Sequence, residues 1–215
     1  MPGVGGLARL RTALRPEGRS WDRFKLPLLL FTGYALGAQV GLVLRIPDTV
    51  PSVVWPPNAI LLTALLVFPP RAWVWLLLAA LPAHLISELM AGVPLAMASC
   101  WYFSNLSEAL LGAALIRTVL GGTPRFDRVR DAAVYLLACV LVGPILTSFL
   151  DAWFVAQVGW RYDGDYWAVF RMRAISNALA ALIVPPLAIT LLQIPSSMFA
   201  RARRARSSNR RERAP

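Results

Sequence analysis

The sequence predicts an all-α, polytopic transmembrane helix bundle of about six spans, with both termini on the cytoplasmic side. Three observations carry that prediction. The chain of 215 residues is 57% hydrophobic and only 15% charged, where soluble domains carry about 25% charged residues. Its apolar residues form runs separated by short turns rich in Pro, Gly and Arg. Most of the runs are long enough to cross a hydrocarbon core of about 30 Å at 1.5 Å per residue. Its basic residues alternate by segment. Of 22 Lys and Arg, six precede Leu26, Arg71 follows the second run, Arg117, Arg125, Arg128 and Arg130 follow the fourth, and seven lie from Arg201 to Arg213. The positive-inside rule assigns these segments to the cytoplasm.

The net charge of +11 sits in tails and loops with no nucleic-acid recognition element beside it. Its partner is therefore an anionic lipid surface, and nucleic acid is not expected as a partner. Cys100 and Cys139 both fall inside apolar runs. Their spacing fits neither a disulfide framework nor a zinc site.

Residues 1–25 read as a basic cytoplasmic tail, 26–193 as the membrane domain and 194–215 as an Arg-rich cytoplasmic tail. A cleaved signal peptide competes for the first run, but that run continues to Leu44 and carries Gly33, Gly37 and Gly41 on one helical face. Such a face lets another helix approach closely, so Leu26–Leu44 is expected as a retained first span. Arg45, Pro47 and Asp48 form the outer turn. Trp55-Pro56-Pro57-Asn58 then opens the short run Ala59–Phe68. Prolines suit a helix start, where the missing N–H is harmless. This span is expected to begin as non-helical backbone, which a membrane tolerates only against protein or a wet cavity.

Pro69-Pro70-Arg71 makes an inner turn. The third span, Ala72–Ala91, holds Pro82, His84 and Glu88. Gly92-Val93-Pro94 leads into the fourth, Leu95–Leu120, with Trp101, Asn105 and Glu108. The fifth, Ala132–Val158, holds Pro144, Ser148 and Asp151. After an external loop with Arg161, Asp163 and Asp165, the sixth runs from Tyr166 to Leu192. It carries Arg171, Arg173 and Asn177 early and Pro185-Pro186, a candidate bend, late.

Ionisable residues inside spans cost a few kcal/mol or more and mark functional sites by default. Counting from each span's start puts Asn58, His84, Glu88, Asn105, Glu108, Asp151, Arg173 and Asn177 between the midplane and the outer face. Polar residues of five helices would thus share one leaflet. His84 and Glu88 share a helical face, as do Ser104 and Glu108, and Arg173 and Asn177. Arg171, nearer the interface, is expected to snorkel outward.

Two readings compete. In one, the polar residues are interhelical pairs that hold the bundle together, such as Arg173 with Asp151 or Glu108, worth about 0.6–2 kcal/mol each. In the other, they line an outward-opening pocket for a small polar ligand or ion. A single His with Glu at i,i+4 supplies too few ligands for a metal. No nucleophile elbow, Cys–His pair or phosphate-cradling loop is present. Neither catalysis nor a cofactor is expected.

The motifs resemble a known family. Val54-Trp55-Pro56-Pro57-Asn58-Ala59-Ile60 followed by Phe68-Pro69-Pro70-Arg71, then Leu81-Pro82-Ala83-His84, Asn105-Leu106-Ser107-Glu108-Ala109, and Arg173 with Ser176-Asn177-Ala178 resemble the MASE1-type membrane-associated sensor domains of bacteria. The resemblance covers about residues 25–193. It implies a multi-pass sensory module of the bacterial cytoplasmic (inner) membrane, usually fused at its C-terminus to a histidine kinase or a diguanylate cyclase or phosphodiesterase. It implies no ligand and no proven binding residue. Two departures stand out: about six spans where members often have around eight, and a chain that ends soon after the last.

The expectation is therefore a non-catalytic sensor without its own output domain. It would be a stand-alone module, a subunit working through a separate signalling partner, or a truncated product. The alternatives are a small transporter or the substrate-capture subunit of one, although no inverted repeat is visible, and a purely structural membrane subunit.

Overall fold

A computed structural model describes residues 22–45, 52–160 and 164–193. Residues 1–21 of the expected N-terminal tail, the expected C-terminal tail, the turn at Pro47 and Asp48, and Arg161 and Asp163 lie outside the described residues, while residues 22–25, expected in the tail, instead open the first helix. The described chain folds into six helices: α1 (Asp22–Val43), α2 (Pro56–Val67), α3 (Trp73–Met90), α4 (Leu95–Leu120), α5 (Val129–Val158) and α6 (Tyr166–Gln193). Five are long and apolar enough to cross a membrane, and α2 is the short one. No strand occurs among the described residues; a lone antiparallel bridge joins Arg45 and Ser52. Leu28, Leu36, Val74, Ile175 and Leu187 point outward and are exposed. That inverts the pattern of a soluble protein and presents an apolar surface to lipid.

Successive helices alternate in direction, as their end-to-end contacts show. Arg45 at the end of α1 reaches Glu88 near the end of α3, and Tyr166 at the start of α6 donates to Phe149 O on α5. At the opposite face, Arg117 near the end of α4 reaches the last carbonyls of α2. Gln193 at the end of α6 donates to Pro124 O. Left-handed glycines close α4 (Gly121, φ 72°) and α5 (Gly159, φ 71°), a conformation that glycine adopts without steric cost.

Helix α2 is the hub of the packing. It contacts α1, α3, α4 and α6, and its Asn58, Leu61, Leu62, Leu65 and Leu66 are all buried. The glycine face of α1 makes room for it. A Cβ on Gly37 would stand 2.6 Å from Ile60 Cδ1, and one on Gly41 would stand 2.5 Å from Trp55 Cε3. At 12 residues, α2 spans only about 18 Å, so its ends stop inside the protein. Non-helical backbone through Ser52–Trp55 leads into it, with Ser52 and Trp55 buried. The last carbonyls of α2, which have no intrahelical partner, accept side-chain donors instead. Arg117 Nη2 serves Leu65, Leu66 and Phe68, Trp73 Nε1 serves Leu65 and Phe68, and Thr123 Oγ1 serves Leu66.

Prolines shape the two C-terminal helices differently. Helix α6 continues through Pro185 and Pro186. Pro185 has no N–H to give Ala181 O, and the Tyr135 hydroxyl takes that carbonyl at 2.5 Å. Helix α5 instead widens ahead of Pro144 into a π-helical turn, Leu136–Val142, where Gly143 N–H bonds Ala138 O five residues back. A proline ring clashes with the carbonyl four residues before it, and a wider turn relieves that clash.

Candidate functional site

The buried polar groups centre on Glu108 of α4. One of its oxygens, Oε2, accepts the Thr147 hydroxyl of α5 at 2.8 Å and the Asn177 side-chain amide of α6 at 2.8 Å. Thr147 Oγ also lies 3.0 Å from Gly143 O, so the residue follows directly from the π-helical turn. Gly143 itself faces Glu108, whose Cγ would be 3.5 Å from a Cβ there. A regular helix through 136–142 would rotate Thr147 relative to α4. The widened turn sets its register.

One helical turn toward the outer face lies a second layer. Ser104 of α4 donates to Asp151 Oδ1 of α5 at 2.6 Å. Arg173 of α6 lays its guanidinium over the Trp101 ring of α4, 4.3 Å from the centroid. This is a cation–π contact strengthened by desolvation. Asp151 is 0% exposed and Arg173 is 5% exposed. The charge of Arg173 acts on Asp151 and on Glu108, yet no carboxylate oxygen among the described residues lies within 4.0 Å of it. The direct ion pair that sequence reasoning weighed for Arg173 is not formed.

His84 and Glu88 belong to a neighbouring branch. His84 Nε2 lies 3.0 Å from Ala98 O and Nδ1 lies 3.1 Å from the Tyr34 hydroxyl. A carbonyl only accepts, so Nε2 carries the proton, and in the neutral ring Nδ1 accepts from Tyr34. Both nitrogens are thereby engaged, and the ring packs against Tyr34 and Tyr102. Glu88, 2% exposed, pairs with Arg45 at 3.5 Å, at the outer end of α1. Asn105, buried, lies beside Tyr34. Asn58, buried at the start of α2, has an amide oxygen without a hydrogen-bond partner. Arg171 is exposed and stands 3.9 Å from Asp165, whose Oδ1 accepts Ala168 N–H at the start of α6.

The structure thus joins Glu108 to Asn177 directly and sets Asp151 and Arg173 in the layer above. It places His84, Glu88, Asn105 and Asn58 around them without a hydrogen bond to that pair of layers. Arg45, Tyr34, Trp101, Ser104 and Thr147 take part although the motifs did not single them out as site residues. Arg45 carried a signal: it is one of two basic residues expected in an outer turn, where the positive-inside rule disfavours them. Ser104 and Thr147 stand at i,i+4 from Glu108 and Asp151 respectively, which places each on the same face as a carboxylate.

These features define a polytopic helical membrane protein with a hydrogen-bonded polar core. The sequence profile of the MASE1 family matches residues 26–207, and the chain belongs to that family of integral membrane sensory domains. Neither the curated proteins nor the solved structures contain a match to the chain.

Proposed function

We propose that the chain is a non-catalytic sensor of the bacterial cytoplasmic membrane. Its outer-half polar core binds a small ligand or ion, and its helix ends report binding to a separate signalling partner. The observation that carries this reading is the sharing of one carboxylate, Glu108, by three helices. A ligand that competes for Thr147 or Asn177 changes how α4, α5 and α6 hold one another. Helix α6 carries Arg173 and Asn177 in its outer half and runs on to Gln193, which touches the α4–α5 loop at Pro124. The π-helical turn of α5, beside Glu108, is the element assigned to shift on binding, as π-turns recur at functional sites. A ligand shifts such an equilibrium only by its difference in affinity between the two states.

The orientation follows from charge. Arg71, Arg117, Arg125, Arg128 and Arg130 gather at one face of the bundle, the face where α2 and α4 end. The positive-inside rule makes that face cytoplasmic, which turns the polar core toward the periplasm and brings the start of α1 and the end of α6 to the cytoplasmic side.

The test is a small-molecule screen by thermal shift on purified protein, comparing wild type with Glu108→Gln and Arg173→Gln. A ligand whose stabilising shift is lost in either variant is expected. Shifts that persist unchanged in both variants would remove the polar core from the binding function.

A further inference from the structure

Hydrogen bonds within the α4–α5–α6 core leave a set of buried polar atoms unpartnered: Asp151 Oδ2, Ser148 Oγ, Ser176 Oγ, Asn177 Oδ1, Arg173 Nε and Trp101 Nε1. Ser148 and Asp151 are 0% exposed, and Ser176 and Asn177 are nearly so. Buried polar groups are ordinarily paired, and each exception calls for a physical explanation, a bound group among them. The set is mixed. Asp151 Oδ2 and Asn177 Oδ1 only accept, Arg173 Nε and Trp101 Nε1 only donate, and the two hydroxyls do either.

That mixture discriminates between ligand classes. A bare cation would suit Asp151 and Asn177 but would meet the Arg173 guanidinium. A bare anion would suit Arg173 but would meet Asp151, with Glu108 one turn below. The disposition of the two opposite charges is more telling. In a poorly solvated interior a carboxylate and a guanidinium attract strongly and close to contact unless other partners hold them. Here the Trp101 ring holds Arg173 and the Ser104 hydroxyl holds Asp151, and no oxygen–nitrogen approach within 4.0 Å occurs. The two charges make no direct contact, and each has an unused hydrogen-bonding atom.

We propose that Asp151 and Arg173 together receive a small zwitterion of the α-amino acid class. Its ammonium group donates to Asp151 Oδ2 and Asn177 Oδ1. Its carboxylate accepts from Arg173 and from the Ser148 and Ser176 hydroxyls. Such a ligand completes both charges and adds no net charge to the core, so it avoids the cost of burying an unpaired ion. Because Asn177 is already bound to Glu108 through Nδ2, engagement of its Oδ1 couples the bound ligand to the three-helix junction. This inference rests on the ligand-binding reading above and names the ligand that reading leaves open.

The full chain in detergent or nanodiscs is titrated calorimetrically with each proteinogenic amino acid. Propionate and propylammonium serve as single-charge probes. Saturable binding of at least one amino acid and none of either single-charge probe is expected. Asp151→Asn and Arg173→Gln should each weaken binding by roughly 30-fold or more, the loss typical of truncating a buried charge partner. Should either variant misfold, Ser148→Ala and Ser176→Ala, which change little volume, should weaken binding while leaving the thermal transition of the unliganded protein in place. Binding of propionate or propylammonium as tight as that of any amino acid overturns the zwitterion while leaving a ligand site at this core. No amino acid bound by wild type also overturns it. The sensor reading fails separately, on the indifference of every bound ligand to Glu108→Gln and Arg173→Gln.

Discussion

Alanine placed in turn at Gly33, Gly37 and Gly41 should divide the glycine face of α1 by local geometry. In a helix, Gly→Ala is worth about 0.5–1 kcal/mol in favour of Ala from backbone entropy. At Gly33 the nearest atom to the new methyl is Ile60 Cγ2 at 3.9 Å, ordinary contact, so the whole gain is realised. At Gly37 the methyl meets Ile60 Cδ1 at 2.6 Å, the tip of a flexible side chain that can rotate away, and the gain is largely cancelled. At Gly41 it meets the Trp55 ring at 2.5 and 2.7 Å. Trp55 is 4% exposed and has nowhere to go, so α1 and the chain leading into α2 must separate. Overpacking of that kind costs about 1–3 kcal/mol, leaving Gly41→Ala destabilised by up to about 2.5 kcal/mol. For a chain of this size 1 kcal/mol moves Tm by about 2–4 °C. Thermal unfolding in detergent, followed by circular dichroism, should therefore rank Gly33→Ala above wild type and Gly41→Ala below it. Equal Tm values for the Gly33 and Gly41 variants would refute the packing of α1 on α2.

Two further predictions concern the opposite face. Arg117→Ala should lower Tm, because it removes the charged donor shared by the carbonyls that end α2, at about 1.5–3 kcal/mol for a hydrogen bond to a charged group, although Trp73 and Thr123 keep those carbonyls partnered. Arg117→Lys should recover only part of the loss, since an ammonium lacks the guanidinium fork; full recovery would show that charge alone is required. In the α4–α5 loop, the Arg125 guanidinium hydrogen-bonds the Asp127 carboxylate and holds it below the usual carboxylate range. The folded value being depressed, the interaction contributes above the unfolded pKa and is lost as pH falls through the folded one. An NMR titration should show Asp127 returning toward the ordinary value in Arg125→Ala, and an unchanged titration would dismiss the pairing.

Much of the architecture is legible in the residue pattern. Apolar run lengths and alternating basic turns give six helices within a few residues of their observed limits. The four-residue spacing of Gly33, Gly37 and Gly41 announces a close helix contact, and the Trp-Pro-Pro-Asn entry announces a late-starting α2. Periodicity tells which residues share a face but not which face another helix presents. The pairing of Arg45 with Glu88, the Trp101 platform under Arg173 and the Tyr34 partner of His84 therefore came only with the packing. Pro144 and Gly143 hinted at a disturbed helix. The widening of 136–142 depends on how α5 must turn Thr147 toward Glu108, and no local propensity encodes that. Likewise, Pro185-Pro186 reads as a candidate bend in sequence, but that Tyr135 of α5 partners the Ala181 carbonyl there came only with the packing.

The polar core stands on Glu108 being shared by helices that face one another. A double-mutant cycle of Glu108→Leu and Asn177→Leu, measured by reversible unfolding in detergent, tests this most directly. A coupling energy of about 0.6–2 kcal/mol, the range for polar contacts between membrane helices, is predicted. Strict additivity of the two substitutions would contradict it.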